Sequence, residues 1–126
     1  MKATGVVTSP NHPGNYPSNV EKKQIITVES KKILRLEFTH FDVHDCGNIT
    51  TCPCDFVKIR DGDGITLMDR TCGNFSLKPS HPDHLLTRSN RVEIFFSTDD
   101  DHTSTGWSLS WTAVTPGQSE LKKMTV

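Results

Sequence analysis

The side chains of this chain that could do chemistry are cysteines, aspartates and histidines, most of them between position 40 and position 102. Cys46, Cys52, Cys54 and Cys72 are its four cysteines. An even count at this density reads as two disulfides made in an oxidising compartment, with three connectivities open. The triplets Asn48-Ile49-Thr50 and Asn74-Phe75-Ser76 agree with that compartment, because Asn48 and Asn74 become acceptors for N-linked glycans on a secretory route. The expected location is therefore extracellular or secreted. A zinc site built on the same cysteines would want paired Cys-x-x-Cys units, which are absent.

The acidic and histidine motifs are weighed the same way. Asp99-Asp100-Asp101 reads as a solvated turn when taken alone. Asp61-Gly62-Asp63-Gly64 reads as a hairpin turn, since a calcium loop of the helix–loop–helix type needs a bidentate Glu downstream. His81-Pro82-Asp83-His84 has a spacing that could chelate. Its proline imposes an extended or turn geometry, however, and no further donors flank it, so no zinc is expected. The chain has no nucleophile elbow, no His-Glu-x-x-His and no phosphate-cradling glycine loop, so it is not expected to be an enzyme.

These residues need elements to hold them, and the apolar pattern supplies strands. Leu34, Leu36 and Phe38 alternate with Arg35, Glu37 and Thr39; Val57 and Ile59 alternate with Lys58 and Arg60. Val92, Ile94 and Phe96 alternate with Glu93 and Phe95, and Trp107, Leu109 and Trp111 with Ser108, Ser110 and Thr112, which makes both tryptophans core residues. Ile25–Val28 and Ile65–Met68 are shorter candidates. No segment carries a 3.6-residue stripe. The fold class expected is all-β, a two-sheet antiparallel sandwich. The proline- and glycine-rich stretch Ser9–Asn19 forms turns, from which Tyr16 is offered, with the loop residue Phe75, as an aromatic for partner contact. Lys22-Lys23 and Lys31-Lys32 read as solvated.

At 126 residues the chain fits one domain, taken as residues 1–114, followed by a polar linker or tail at 115–126. A net charge of −1 gives no field suited to nucleic acid, and no apolar run is long enough to span a membrane. A module outside the cell needs an export signal, and Met1-Lys2-Ala3-Thr4-Gly5 is too polar to be one, so a longer parent protein is expected.

Taken in order, five segments resemble the CUB domain family. Ser9-Pro10-Asn11-His12-Pro13-Gly14-Asn15-Tyr16-Pro17 is similar to the family's opening motif, and Leu36-Glu37-Phe38-Thr39-His40-Phe41-Asp42-Val43 to its "LxFxxFdl". Cys52-Pro53-Cys54-Asp55-Phe56-Val57-Lys58-Ile59 resembles "CxxDxvxI", Cys72-Gly73 the second half-cystine, and Phe96-Ser97-Thr98-Asp99 with Gly106-Trp107 the closing segment. The resemblance implies a jelly-roll sandwich, of the subset lacking the family's first disulfide, since no cysteine precedes Cys46. It assigns Cys52 to Cys72, which leaves Cys46 for Cys54.

It also implies calcium. In the calcium-binding subset, two aspartates and a glutamate meet at one end of the sandwich, and the matching positions here are Asp55, Asp99 and His44. Imidazole is a poor calcium ligand, so Asp45 takes the third role in a shifted register and Asp101 joins from the closing loop. The function implied is a non-catalytic module of a larger secreted or cell-surface protein, a protease among the candidates. It would recognise a protein or glycan partner, its acidic loops facing a basic side chain. The alternative is a structural or self-association module that dimerises or spaces its parent.

Overall fold

The computed structural model of the chain describes residues 1–74 and 84–117. Its strands are β1 (Thr4–Thr8), β2 (Glu21–Thr27), β3 (Ile33–Val43), β4 (Phe56–Asp61), β5 (Thr66–Thr71), β6 (Gly73–Asn74), β7 (Leu85–Leu86), β8 (Arg91–Ser97) and β9 (Gly106–Val114), with no helix among the described residues. One sheet runs β1-β9-β3-β6, with β7 also on β3; the other runs β2-β8-β4-β5. Every pairing is antiparallel, and the two sheets make the jelly-roll sandwich the sequence implied.

The period of two decides what lies between the sheets. Val57 and Ile59 of β4, Val92, Ile94 and Phe96 of β8, and Trp107, Leu109 and Trp111 of β9 are all buried. Phe96 and Trp107 meet edge to face with centroids 5.8 Å apart, a packing aromatic rings favour. In β3 the alternation does not run straight through. Leu34 and Leu36 face the core, the register against β9 shifts between Phe38 and His40, and beyond it Phe41 and Val43 are buried instead. The bulge inserts one residue, which keeps His40 out of the core and brings the next apolar pair in.

The opening segment is bound to β9 and to the connection before it. Ser9 donates its amide to the Trp107 carbonyl at 2.9 Å and accepts the Trp107 amide on Oγ at 3.0 Å, and Tyr16 donates its amide to Ser104 O at 3.1 Å. This docking depends on Gly106. Its φ is +84°, and a Cβ there would fall on the Ser9 side chain and against the Tyr16 ring. At the far end of the molecule the Asp61-Gly62-Asp63-Gly64 segment joins β4 to β5 as the hairpin turn expected. Asp61 itself is buried, its carboxylate accepting the Arg88 amide and the Ser89 hydroxyl.

Gly64 also has a positive φ, +94°, but open space lies where its Cβ would go. Gly64→Ala is therefore expected to cost only the left-handed backbone penalty of about 1–2 kcal/mol. Gly106→Ala should cost at least about 1 kcal/mol more, because the Ser9 bonds to Trp107 must also give way. Paired denaturant melts check this; equal losses for the two variants would show that the opening segment is not held through Gly106.

Candidate functional site

Four segments converge at one end of the sandwich: Tyr16 from the opening turns, His44 and Asp45 beyond β3, Asp55 just before β4, and Asp99–His102 between β8 and β9. Asp55 is at their centre and is 0% exposed. Its Oδ2 accepts the Tyr16 hydroxyl at 2.6 Å and its Oδ1 accepts the Asp99 amide at 2.9 Å. The Tyr16 oxygen in turn accepts the His44 amide at 3.0 Å. One carboxylate thus fixes three separate segments.

The electrostatics of the pair are unusual for a charge so deep. Burial raises the Asp55 pKa, the bonds from Tyr16 and from the Asp99 amide oppose that rise, and the Asp99 carboxylate adds to it. Burial first, and then the bond to Asp55, push the Tyr16 hydroxyl well above the usual phenol range, so it stays protonated and remains a donor. Among the described residues no Lys, Arg or His side chain lies within ion-pair distance of Asp55 or Asp99. A buried carboxylate beside a second one, with no protein cation, is a donor set of the kind a hard divalent ion neutralises.

Both disulfides lie next to this end. Cys46 is joined to Cys54 and Cys52 to Cys72. The first closes the loop that leads into Asp55, and its sulfurs lie with an Asp99 oxygen inside one 4.8 Å group. Sulfurs bonded to one another offer no thiolate to a metal, so the bridge acts here as a staple within the loop between β3 and β4.

The other acidic positions are placed differently. Asp45 spends Oδ1 on the Gly47 amide at 2.8 Å, in its own turn. Asp101 is exposed and pairs with His102 at 2.9 Å. Asp55 and Asp99 are brought together; among the described residues, no three carboxylates form a 4.8 Å donor group with them. His44 stacks on His102, centroids 5.1 Å apart and rings inclined by 22°, and so joins the β3 end to the closing loop by packing. Asn48 is exposed, and its Oδ1 caps the Thr50 and Thr51 amides; Asn74 is half-buried in β6. Phe75 and His81-Pro82-Asp83 lie outside the described residues.

Tyr16 requires a correction. Offered from its loop as an aromatic for partner contact, it is 1% exposed and packs edge to face on Phe96 at 5.0 Å. Composition marks the segment as turns and hides that its ring is the anchor. Its pairing with Asp55 is the functional feature that sequence reasoning missed; the one available signal was a tyrosine spaced regularly within prolines, which says nothing of what its hydroxyl meets.

Tyr16→Phe is expected to cost about 1–3 kcal/mol at neutral pH, since it leaves the buried Asp55 carboxylate without its side-chain donor. The loss should shrink on acidification. Removing a bond that lowers the Asp55 pKa raises it further, and a carboxyl raised in the folded state contributes its stability below the unfolded pKa and loses it as pH climbs through the folded one. Denaturant titrations of both proteins at neutral and at mildly acidic pH measure the gap; a gap that widens with acid would contradict the role given to this hydroxyl.

Residues 1–111 match the family model of the CUB domain. The rat mannan-binding lectin serine protease 1 is 32% identical over 111 residues, which are 87% of this chain and 15% of that protein. Dog cubilin is 34% identical over 110 residues, 86% of this chain and 3% of that one, so the chain spans a small part of each relative's length. Among solved structures, the calcium-bound CUB2 domain of MASP-1 superposes with a TM-score of 0.76 at 31% identity, covering 90% of this chain and 95% of that one. The CUB1-EGF-CUB2 region of human MASP-1/3 gives 0.77 at 32% identity, over 90% of this chain and 40% of that one. With two sheets in this order, Asp55 and Asp99 joined at one end and the family model matched over nearly the whole chain, the chain belongs to the CUB domain family.

Proposed function

We propose that residues 1–114 form an extracellular, non-catalytic interaction module of a larger secreted or cell-surface protein, with 115–126 as its linker. Its binding end is the one built on Asp55 and Asp99, organised by calcium. The observation that carries this reading is the fully buried Asp55 carboxylate, held beside Asp99 with no cation among the described residues paired to either. The 31%-identical MASP-1 CUB2 domain crystallised with Ca2+ supports the choice of ion.

A bound divalent ion would supply positive charge and a demand for oxygen ligands, which Asp55 and Asp99 meet in part and main-chain oxygens or water complete. The residues of this chain do the rest. Tyr16 holds Asp55 in place, the Cys46–Cys54 bridge closes the loop that leads into it, and the half-buried Asp45 and exposed Asp101 stand at the rim. Such a rim accepts a lysine or arginine from a protein partner as a charge-assisted contact. His44, standing where the resemblance expects a glutamate, removes one negative charge and sets the affinity at the weak end, on the order of 10⁻⁴ to 10⁻³ M.

Calcium at about ten times Kd should then stabilise the fold by about 1.4 kcal/mol and raise the melting temperature. Asp99→Ala should lose that response and yet, in excess chelator, melt no lower than the parent chain, because the repulsion between its carboxylate and Asp55 is gone. The calcium response should also weaken with acid, starting above the ordinary aspartate range, since protons compete for the raised Asp55. Thermal melts with calcium and with chelator decide it: superimposed curves for the unaltered chain would leave this end metal-free.

A further inference from the structure

Charge is also sorted on a broad surface that adjoins the acidic end where Phe56 pairs with Ser97. On β2, β8, β4 and β5 the core takes Ile26, Val57, Ile59, Val92, Ile94 and Phe96, so the alternate residues of these strands form an outer face. On that face stand Lys23, Lys58, Arg60, Arg70 and Arg91, with Lys22 beside them at the sheet's edge opposite Phe96. Of the strands' carboxylates, Asp61 and Glu93 are buried, leaving only Glu21 and Asp69 exposed. A chain with a net charge of −1 thus turns a cationic sheet face to solvent.

The cations on this face are held in place. Glu93, its side chain 8% exposed, accepts Arg60 through Nε at 2.8 Å and Nη2 at 2.5 Å, accepts Arg91 at 3.1 Å and has the Lys23 ammonium at 3.9 Å. Register sets Lys23 and Lys58 on either side of Phe95. The Arg60 guanidinium lies 5.1 Å from the centroid of the Phe95 ring, and that of Arg70 lies 4.1 Å from the centroid of Phe56. One buried carboxylate and two rings therefore orient cations that would otherwise wave freely. Beside them Lys22, Lys23, Lys58, Phe56 and Phe95 line an open depression of about 470 Å³, within the size range of small-ligand sites. Phe96, Ser97 and Glu21 complete its lining, so three lysines there outnumber the one acid.

We infer that this face is a second binding site, for a sulfated polysaccharide of the glycosaminoglycan type. Sulfate carries permanent charge and presents oxygens to which a guanidinium fork can bond in pairs. A chain with repeated charge can reach cations spread over four strands, about 14 Å across at the usual strand spacing, which one carboxylate side chain cannot. The depression adds room for a sugar ring against the edges of Phe56 and Phe95. An acidic, apolar peptide fits less well, because Arg60 and Arg70 already cover the two rings. A membrane surface fits less well for the same reason, as no uncovered aromatic stands out on this face to insert.

The test uses the whole chain and a size-defined heparin oligosaccharide, in chelator, so that the acidic end is silent. Binding is expected to weaken steeply with salt. Lys58→Glu with Arg70→Glu should lower affinity at least about tenfold and flatten the salt dependence by about one unit of slope per cation removed. Both residues lie outside the Glu93 cluster, and an unchanged melting temperature would confirm that the variant is folded. Asp99→Ala should bind heparin as the parent does, which separates this site from the calcium reading. The inference is overturned if heparin does not bind, if the double variant binds equally well, or if fully desulfated heparin binds as tightly. It is equally overturned if a charge-matched oligonucleotide, poly-glutamate or phosphatidylserine vesicles bind better than heparin.

Discussion

The constraint on which the functional end depends is a carboxylate that water cannot reach. Asp55 stands at the mouth of β4 with both oxygens committed, one to a hydroxyl from the opening turns and one to an amide from the closing loop. Neither donor is near Asp55 in sequence; they come from positions 16 and 99, and a buried oxygen left without its donor costs more than a typical hydrogen bond contributes. Segments that composition alone marks as loops are for this reason fixed to one another. The Cys46–Cys54 bridge works in the same direction, since it restricts the shapes open to the loop ahead of Asp55.

The three buried carboxylates among the described residues, Asp55, Asp61 and Glu93, show what distinguishes a structural site from one that binds. Asp61 is as deep as Asp55, and it accepts an amide and a hydroxyl at a hairpin turn. Asp55 also has two donors and yet its pKa is raised, chiefly by burial, which those donors oppose and the Asp99 carboxylate reinforces. Glu93 is the opposite case. Hydrogen bonds from Arg60 hold its carboxyl below the usual range, with Lys23 and Arg91 adding to the effect. Burial alone does not predict a site; the sign of what surrounds the charge does.

Much of the fold was legible because two-residue alternation is strict wherever a strand covers a core. In β4, β8 and β9 the residues expected inside are the ones found buried. Two features were not legible. The bulge of β3 changes which parity faces inward between Phe38 and His40, and alternation carries no mark of an inserted residue. The short strands β6 and β7 owe their existence to pairing with β3 rather than to any pattern of their own. At the site, Asp55 and Asp99 could be located because the family's spacing carries them. What Tyr16 does could not, since a hydroxyl that closes a contact across 39 positions leaves no local trace. The orienting role of Glu93 was equally hidden: the alternation of β8 assigns it to the outer face, and only the strands on either side show that three cations cover it there.

The two ends of this charge arrangement bear on one another through solubility and orientation. The acidic loops gather at one end of the sandwich, whereas the cations lie across the outer face of one sheet, so a net charge of −1 conceals a strongly dipolar surface. Fields of opposite sign on one small domain orient it during approach to a charged partner, and each falls off within a Debye length of about 8 Å at physiological salt. The two regions adjoin where Phe56 pairs with Ser97, so counter-charge on one is felt by the other within that distance. The Asp55 end is tied together by hydrogen bonds, a disulfide and stacked imidazoles, and the Glu93 face by ion pairs and ring contacts, with no residue belonging to both sets. A fold assembled in this way can hold two recognition surfaces of opposite charge without either one dictating the chemistry of the other.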